Sequence, residues 1–228
     1  MTLELPAAAA AKDIKLTVKI NTGSTTATGS FTFSIPKYSA KVLADATASE
    51  VEKTLVKDVL LYVKAAYVYF DTNDAAAMAK INTVLADYTA KPTVDGAYST
   101  SFPGVNAVTF VLDGTPAMRF YLEDGANAGD YIFYIDGVAV DVVVGEGEAY
   151  VDIDVYAYAL SKTVSYTVNG KDGGSYHIRS YYEYVSGTGA NSYNGADKAE
   201  LTSLVSSFWN YLQSAEAYRN SVLKASFF

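Results

Sequence analysis

Tyr150 to Tyr158 is the stretch whose residue types could do chemistry. Val151, Ile153, Val155 and Ala157 fall on one face of an extended chain, and Tyr150, Asp152, Asp154, Tyr156 and Tyr158 on the other. Aromatic rings set among carboxylates suit a glycan, which stacks its apolar face on a flat ring and offers hydroxyls to acidic and amide groups. Tyr121 and Tyr134 extend this platform if their strands lie beside it. A second reading has the tyrosines covered by the terminal helices and the aspartates bonded to turn amides. A third gathers Asp152 and Asp154 with Asp136, Asp141 or Glu148 around Ca²⁺. That ion needs about six to eight oxygens, and the spacing is not that of an EF-hand loop. The expectation is therefore no cofactor, with calcium as the weak alternative.

Other reactive constellations are missing from the sequence. His177 is the only histidine, and no Gly-x-Ser-x-Gly turn accompanies it as a triad would require. It is expected to be structural, at a strand-to-helix junction. There is no His-Glu-x-x-His, no Walker loop, and Gly170-Lys171-Asp172 reads as a turn. Carboxylates are plentiful enough for a glycosidase pair, but nothing marks two of them as partners. The chain is expected not to be an enzyme.

Composition narrows the partners. A formal charge of −8 and a pI near 4.6 oppose nucleic acid, which calls for clustered Lys and Arg, and oppose anionic membrane surfaces. No apolar run reaches the roughly 20 residues of a membrane span. With no cysteine, disulfides and thiolate chemistry are excluded. Twenty Tyr against one Trp favour amphipathic contact surfaces. The start at Met1 carries no basic region followed by an apolar core, so it reads as the start of an excised fragment.

The elements that must position these residues follow from periodicity. Residues 14–20 alternate as a strand and residues 30–35 pair with it. Pro36 opens a short helix to residue 44, Thr47 with Glu50 suggests a capping box for a helix over 48–70, and residues 74–86 form a third. A Pro/Gly/Ser/Thr-rich stretch from Lys91 to Pro103 marks a boundary. Strands are then expected at 105–112, 117–122, 131–135, 138–144, 150–158, 163–168 and 175–178. Asp113-Gly114, Asp136-Gly137 and Asn169-Gly170 provide turns. Helices near 179–186 and 196–224 close the chain. The division is 1–95, two strands then three helices, and 104–228, about seven strands then two helices. The fold class is α+β, an antiparallel β-sandwich or small barrel with appended helical hairpins.

The chain also repeats itself. Leu55, Tyr62, Ala66 and Tyr69 stand 149 residues before Leu204, Tyr211, Ala215 and Tyr218. Ile35, Tyr38 and Val42 stand 143 before Ile178, Tyr181 and Val185, the difference being a longer Gly187–Gly195 loop. Leu16–Ile20 matches Val164–Val168, and Thr32–Ile35 matches Ser175–Ile178. Two diverged strand-pair-plus-helices copies are expected, with the strands ahead of copy one lacking.

The segments Leu55–Phe70 and Leu204–Arg219, with Phe120-Tyr121-Leu122, Tyr156-Ala157-Tyr158-Ala159 and Ser180-Tyr181-Tyr182-Glu183-Tyr184, carry a resemblance. Over about Ile14 to Leu223 the chain resembles repeated C-terminal modules of large secreted surface proteins of Gram-positive gut anaerobes. The resemblance implies an extracellular or cell-surface accessory role beside other domains of one polypeptide, and it transfers no functional residue. The expected function is a non-catalytic module that binds polysaccharide or adheres. The alternative is a structural spacer packing against neighbouring domains, with no small ligand.

Overall fold

The computed structural model describes residues 7–23, 25–90, 102–111, 116–145, 149–154, 163–190 and 192–225. After a 3-10 turn at Ala7–Ala9 the chain forms β1 (Ile14–Thr22), β2 (Thr25–Phe33), α1 (Ile35–Ala44), α2 (Glu50–Tyr69) and α3 (Ala75–Leu85). There follow β3 (Val105–Val111), β4 (Ala117–Leu122), β5 (Tyr131–Ile135), β6 (Val138–Ala139), β7 (Val143–Val144), β8 (Tyr150–Asp154), β9 (Thr163–Val168) and β10 (Lys171–His177). Helices α4 (Ile178–Ser186) and α5 (Lys198–Ala225) complete it. The fold is α+β with antiparallel sheets, and it is not a closed barrel. Among the described residues β1 and β2 pair only with each other, while the remaining strands order as β10-β9-β5-β6 and β3-β4-β8-β7.

Turn chemistry sets the hairpins. Asp136 and Gly137 have φ of 53° and 77°, and Asn169 and Gly170 of 51° and 73°. Both central positions are left-handed, as a two-residue turn matching the strand twist requires. The segment 138–144 departs from the single strand expected. Val138–Ala139 pairs with β5 in one sheet and Val143–Val144 with β8 in the other, so this stretch carries the chain between sheets. A strand that switches sheets keeps its backbone bonded on both sides of a corner. Residues 112–115 and 155–162, which hold the Asp113-Gly114 turn and the end of the expected 150–158 strand, lie outside the described residues.

Aromatic side chains from both four-stranded sheets share one buried cluster. Phe120 of β4 is fully buried and lies 4.9 Å from Phe133 of β5, 6.1 Å from Tyr166 of β9 and 6.0 Å from Tyr176 of β10. The hydroxyls buried with these rings reach loop carbonyls: Tyr166 donates to Pro103 and Tyr131 to Gly104, each at 2.8 Å. Gly104, at φ 75°, cannot carry a side chain there, because a Cβ would stand 2.8 Å from the Tyr131 hydroxyl. The same core takes Leu204, Phe208 and Leu212 from α5 and Tyr62, Ala65 and Ala66 from α2. A second cluster joins Ala10 and Ala11 to α2 and α3 through Leu60, Val63, Tyr67 and Ile81.

The order β-β-α-α occurs at both ends, as β1-β2-α1-α2 and β9-β10-α4-α5. The long helices pack against each other. Tyr62 lies 4.9 Å from Phe208 and stacks on Tyr211, with ring centroids 6.0 Å apart and planes 8° off parallel. The helix start at α2 corrects the expected cap. Ser49, not Thr47, accepts the Glu52 amide at 3.2 Å, and Thr47 instead donates through its amide and hydroxyl to Asp45.

Candidate functional site

Strand β8 alternates as expected, with Val151 and Ile153 wholly buried and Tyr150, Asp152 and Asp154 turned outward. Its neighbour β4 pairs Arg119 with Asp152 and Tyr121 with Tyr150, so Tyr121 does join this face. The two rings are 6.0 Å apart. Tyr134 does not join it. It lies on β5, opposite Ser165 and Ala139 in the other sheet, where it borders a shallow groove with Thr167 and Asp172. Tyr156 and Tyr158 lie outside the described residues.

The outer face of β4 and β8 is already paired internally. Arg119 donates from Nε to Asp152 Oδ1 at 2.7 Å and from Nη2 to Oδ2 at 2.8 Å, a bidentate ion pair. Its guanidinium also sits 3.8 Å from the Tyr150 ring centre. Hydrogen bonding to Asp152 holds the guanidinium protonation still further above its ordinary range. Behind the ring, a Cβ on Gly145 would fall within contact of Tyr150, so that glycine lets the backbone lie against the tyrosine. Asp152 thus spends both oxygens on Arg119, and Tyr150 has a guanidinium over one face. Sequence reading missed Arg119. Its signal was present, since Arg119 and Tyr121 share one face of β4 and match the aspartate and tyrosine spacing of β8.

The same pairing bears on calcium. Asp152 is engaged by Arg119, Asp154 and Asp141 are exposed, Asp136 sits in the β5–β6 turn, and Glu148 lies outside the described residues. Among the described residues no group of three or more carboxylate or histidine side chains converges on a metal-sized site.

A more open arrangement lies at the other edge of this sheet. A cavity of about 630 Å³ runs between edge strand β3, helix α4 and the loop after it. Phe102, Tyr176, Tyr181 and Tyr184 line it, together with Asn106, Ser180 and Glu183. The rings are linked: Phe102 to Tyr176 at 5.4 Å and Tyr181 to Tyr184 at 6.3 Å. Tyr184 is 46% exposed and presents its ring to solvent, whereas Tyr176 forms the floor. Burial raises the Tyr181 hydroxyl above its ordinary pKa, offset in part by the hydrogen bond from Thr109 at 3.5 Å. Asn106 donates to the Leu122 carbonyl at 3.2 Å, which fixes the orientation of its side chain. The Ser180 hydroxyl is buried against the cavity with no hydrogen-bond partner. Beside an open cavity this hydroxyl is free to bond water or to exchange it for a bound polar group. The repeated Tyr-rich segment Ser180–Tyr184 was legible in the sequence as a helix; that it faces an open strand edge was not.

His177 ends β10 at the expected strand-to-helix junction and is buried, its ring edge-on to Trp209 with centroids 5.4 Å apart. Ser34 occupies the matching junction before α1 and is also buried. No helix among the described residues is long and apolar enough to cross a membrane.

Comparison of the chain with protein-family models, with curated proteins and with solved structures returns no match.

Proposed function

We propose that the protein is a non-catalytic accessory module, extracellular or at a cell surface, that binds a polysaccharide or glycan in the cavity between β3 and α4. The two four-stranded sheets are the layers of a sandwich, and the two β-β-α-α segments are diverged copies of one unit. The observation that carries the reading is the pairing of linked tyrosine rings with the partnerless Ser180 hydroxyl in one accessible cavity. Flat rings take the apolar face of a sugar, and a waiting hydroxyl takes one of its polar edges. An open strand edge beside them adds backbone donors and acceptors that an extended chain of sugars can meet. The Tyr150–Asp152 face is the weaker location, because its groups already satisfy one another.

Affinity electrophoresis in gels cast with plant, starch or mucin polysaccharides tests the proposal. At least one should retard the chain, and Tyr184→Ala should weaken that interaction roughly tenfold, which corresponds to about 1.4 kcal/mol. Tyr150→Ala probes the other face and should leave retardation unchanged. Absence of retardation by every polysaccharide overturns the proposal, and loss of binding only in Tyr150→Ala returns the site to the outer face of β8.

A further inference from the structure

The hairpin β1–β2 is built to be covered. Its register sets Ile14, Leu16, Val18 and Ile20 opposite Phe33, Phe31, Gly29 and Ala27, so these residues share one apolar face. Lys15, Thr17, Lys19 and Asn21 share the other with Thr32, Ser30, Thr28 and Thr26. Yet the apolar face meets solvent: Val18 is 50% exposed, Ile20 56%, Phe31 55% and Phe33 39%. Among the described residues β1 pairs with β2 alone, so no described strand occupies its second edge. A two-stranded ribbon with a bare apolar face is marginal in water by itself, and a contiguous apolar surface of this kind marks an interface.

The second unit shows what belongs there. Leu16, Val18 and Ile20 correspond by sequence to Val164, Tyr166 and Val168 of β9, and Phe31, paired with Leu16, stands where Tyr176 is paired with Val164. Val164, Tyr166 and Tyr176 are 2%, 2% and 4% exposed. Their cover comes from the strands between residues 105 and 154: β5 pairs along the edge of β9, and Phe120 and its neighbours from the facing sheet close over the rings. The same apolar positions are therefore buried in one unit and bare in the other. The difference is one six-stranded β unit.

We infer that the β1–β2 hairpin is a docking surface for a β unit of the 105–154 type supplied from outside residues 7–225, which adds an antiparallel strand to the second edge of β1 and covers its apolar face. The surface lies apart from the β3–α4 cavity, so this inference stands or falls independently of glycan binding. It makes the protein a link in a series, in which the strands of one unit complete the hairpin of the next.

The test joins a duplicate of residues 102–154 ahead of residue 7 of the chain. Residues 7–13 stay packed on α2 and α3 through Ala10 and Ala11, so a flexible glycine-serine linker, at least as long as the eight residues 155–162 between β8 and β9, joins the duplicate to residue 7. Hydrogen exchange by mass spectrometry reads the protection of residues 14–22. Exchange should slow by roughly tenfold or more relative to the parent chain, and a dye that reports apolar surface should bind less. Val18→Lys with Ile20→Lys, both at exposed positions, should abolish the gain without unfolding the rest. If the parent chain itself dimerises, with β1 already protected and the duplicate adding nothing, the occupant is a second hairpin and the inference is overturned. If the parent is a monomer and β1 exchanges equally fast with the duplicate folded, it is overturned as well. Should the duplicate fail to fold, a synthetic peptide of residues 130–140 added to the parent chain replaces it. Shifts of the β1 amides would support the inference, and their absence at millimolar peptide would overturn it.

Discussion

At the scale of single residues, the decisive side chain is Arg119. The aromatic and acidic pattern of β8 looks outward-facing and available until Arg119 occupies both oxygens of Asp152 and one face of Tyr150. Arg119 and Asp152 are each mostly buried, so the pair is less screened than one at the open surface. Asp152→Asn should lower stability by about 1–2 kcal/mol in urea unfolding, and Arg119→Met should recover part of that loss in the double variant. Strict additivity of the two substitutions would show that the pair is not coupled. Asp58 makes a different case. It is buried between α2 and α5, where Tyr88 donates to it at 2.8 Å. Burial raises its carboxyl above the ordinary 3.8, outweighing the hydrogen bonds from Tyr88 and Ser214 that pull the other way. Above the ordinary value the unfolded chain releases this proton before the folded chain does, so stability falls as pH rises until the folded group has also ionised. Asp58→Asn removes that slope. The melting temperature of the variant should gain on the parent as pH rises above the ordinary carboxyl value of 3.8, and a difference that stays constant with pH would refute the assignment.

At the scale of elements, periodicity was enough to place most strands and helices, because each buries one face and shows the other. The turns at Asp136-Gly137 and Asn169-Gly170 were equally plain, since left-handed pairs of this kind have few other uses. Sequence patterning failed where a local choice depended on distant partners. Thr47 and Glu50 have capping-box spacing, but Asp45 captures Thr47 and the helix begins after Ser49. Ser49→Ala should therefore cost about 1 kcal/mol, and removal of the Thr47 hydroxyl should leave the Ser49 cap of α2 in place; circular dichroism melts distinguish the two. Val138–Val144 looks like one strand because its residues are uniformly strand-forming, while its division between two sheets depends on where β5 and β8 lie. The site was legible to the same degree. The face of β8 followed from alternation, but that Tyr121 lies beside it and Tyr134 in the other sheet required the strand order. The cavity beside β3 required knowing that α4 folds back over that edge, which no local signal in Ser180–Tyr184 carries.

At the scale of the whole molecule, the question is whether the two ends behave as separate bodies. The packing favours a single cooperative unit for everything except the β1–β2 hairpin. Tyr62 and Ala66 of α2 belong to the same buried cluster as Phe120, Phe133 and Phe208, and Tyr62 stacks on Tyr211 of α5. Loss of Tyr62 would then open the core of residues 105–212 as directly as it loosens the helices before it. Trp209 makes this measurable: it is the only tryptophan, it is buried on α5 beside His177, and its fluorescence reports the second half alone. Urea unfolding followed by Trp209 fluorescence and by far-ultraviolet circular dichroism should give coincident transitions. Tyr62→Ala should shift both together by about 3–5 kcal/mol, the range for removing a large buried ring. If the variant moves the circular dichroism transition and leaves the Trp209 transition in place, α2 is an appendage, and the two halves of the chain fold as independent bodies that merely touch.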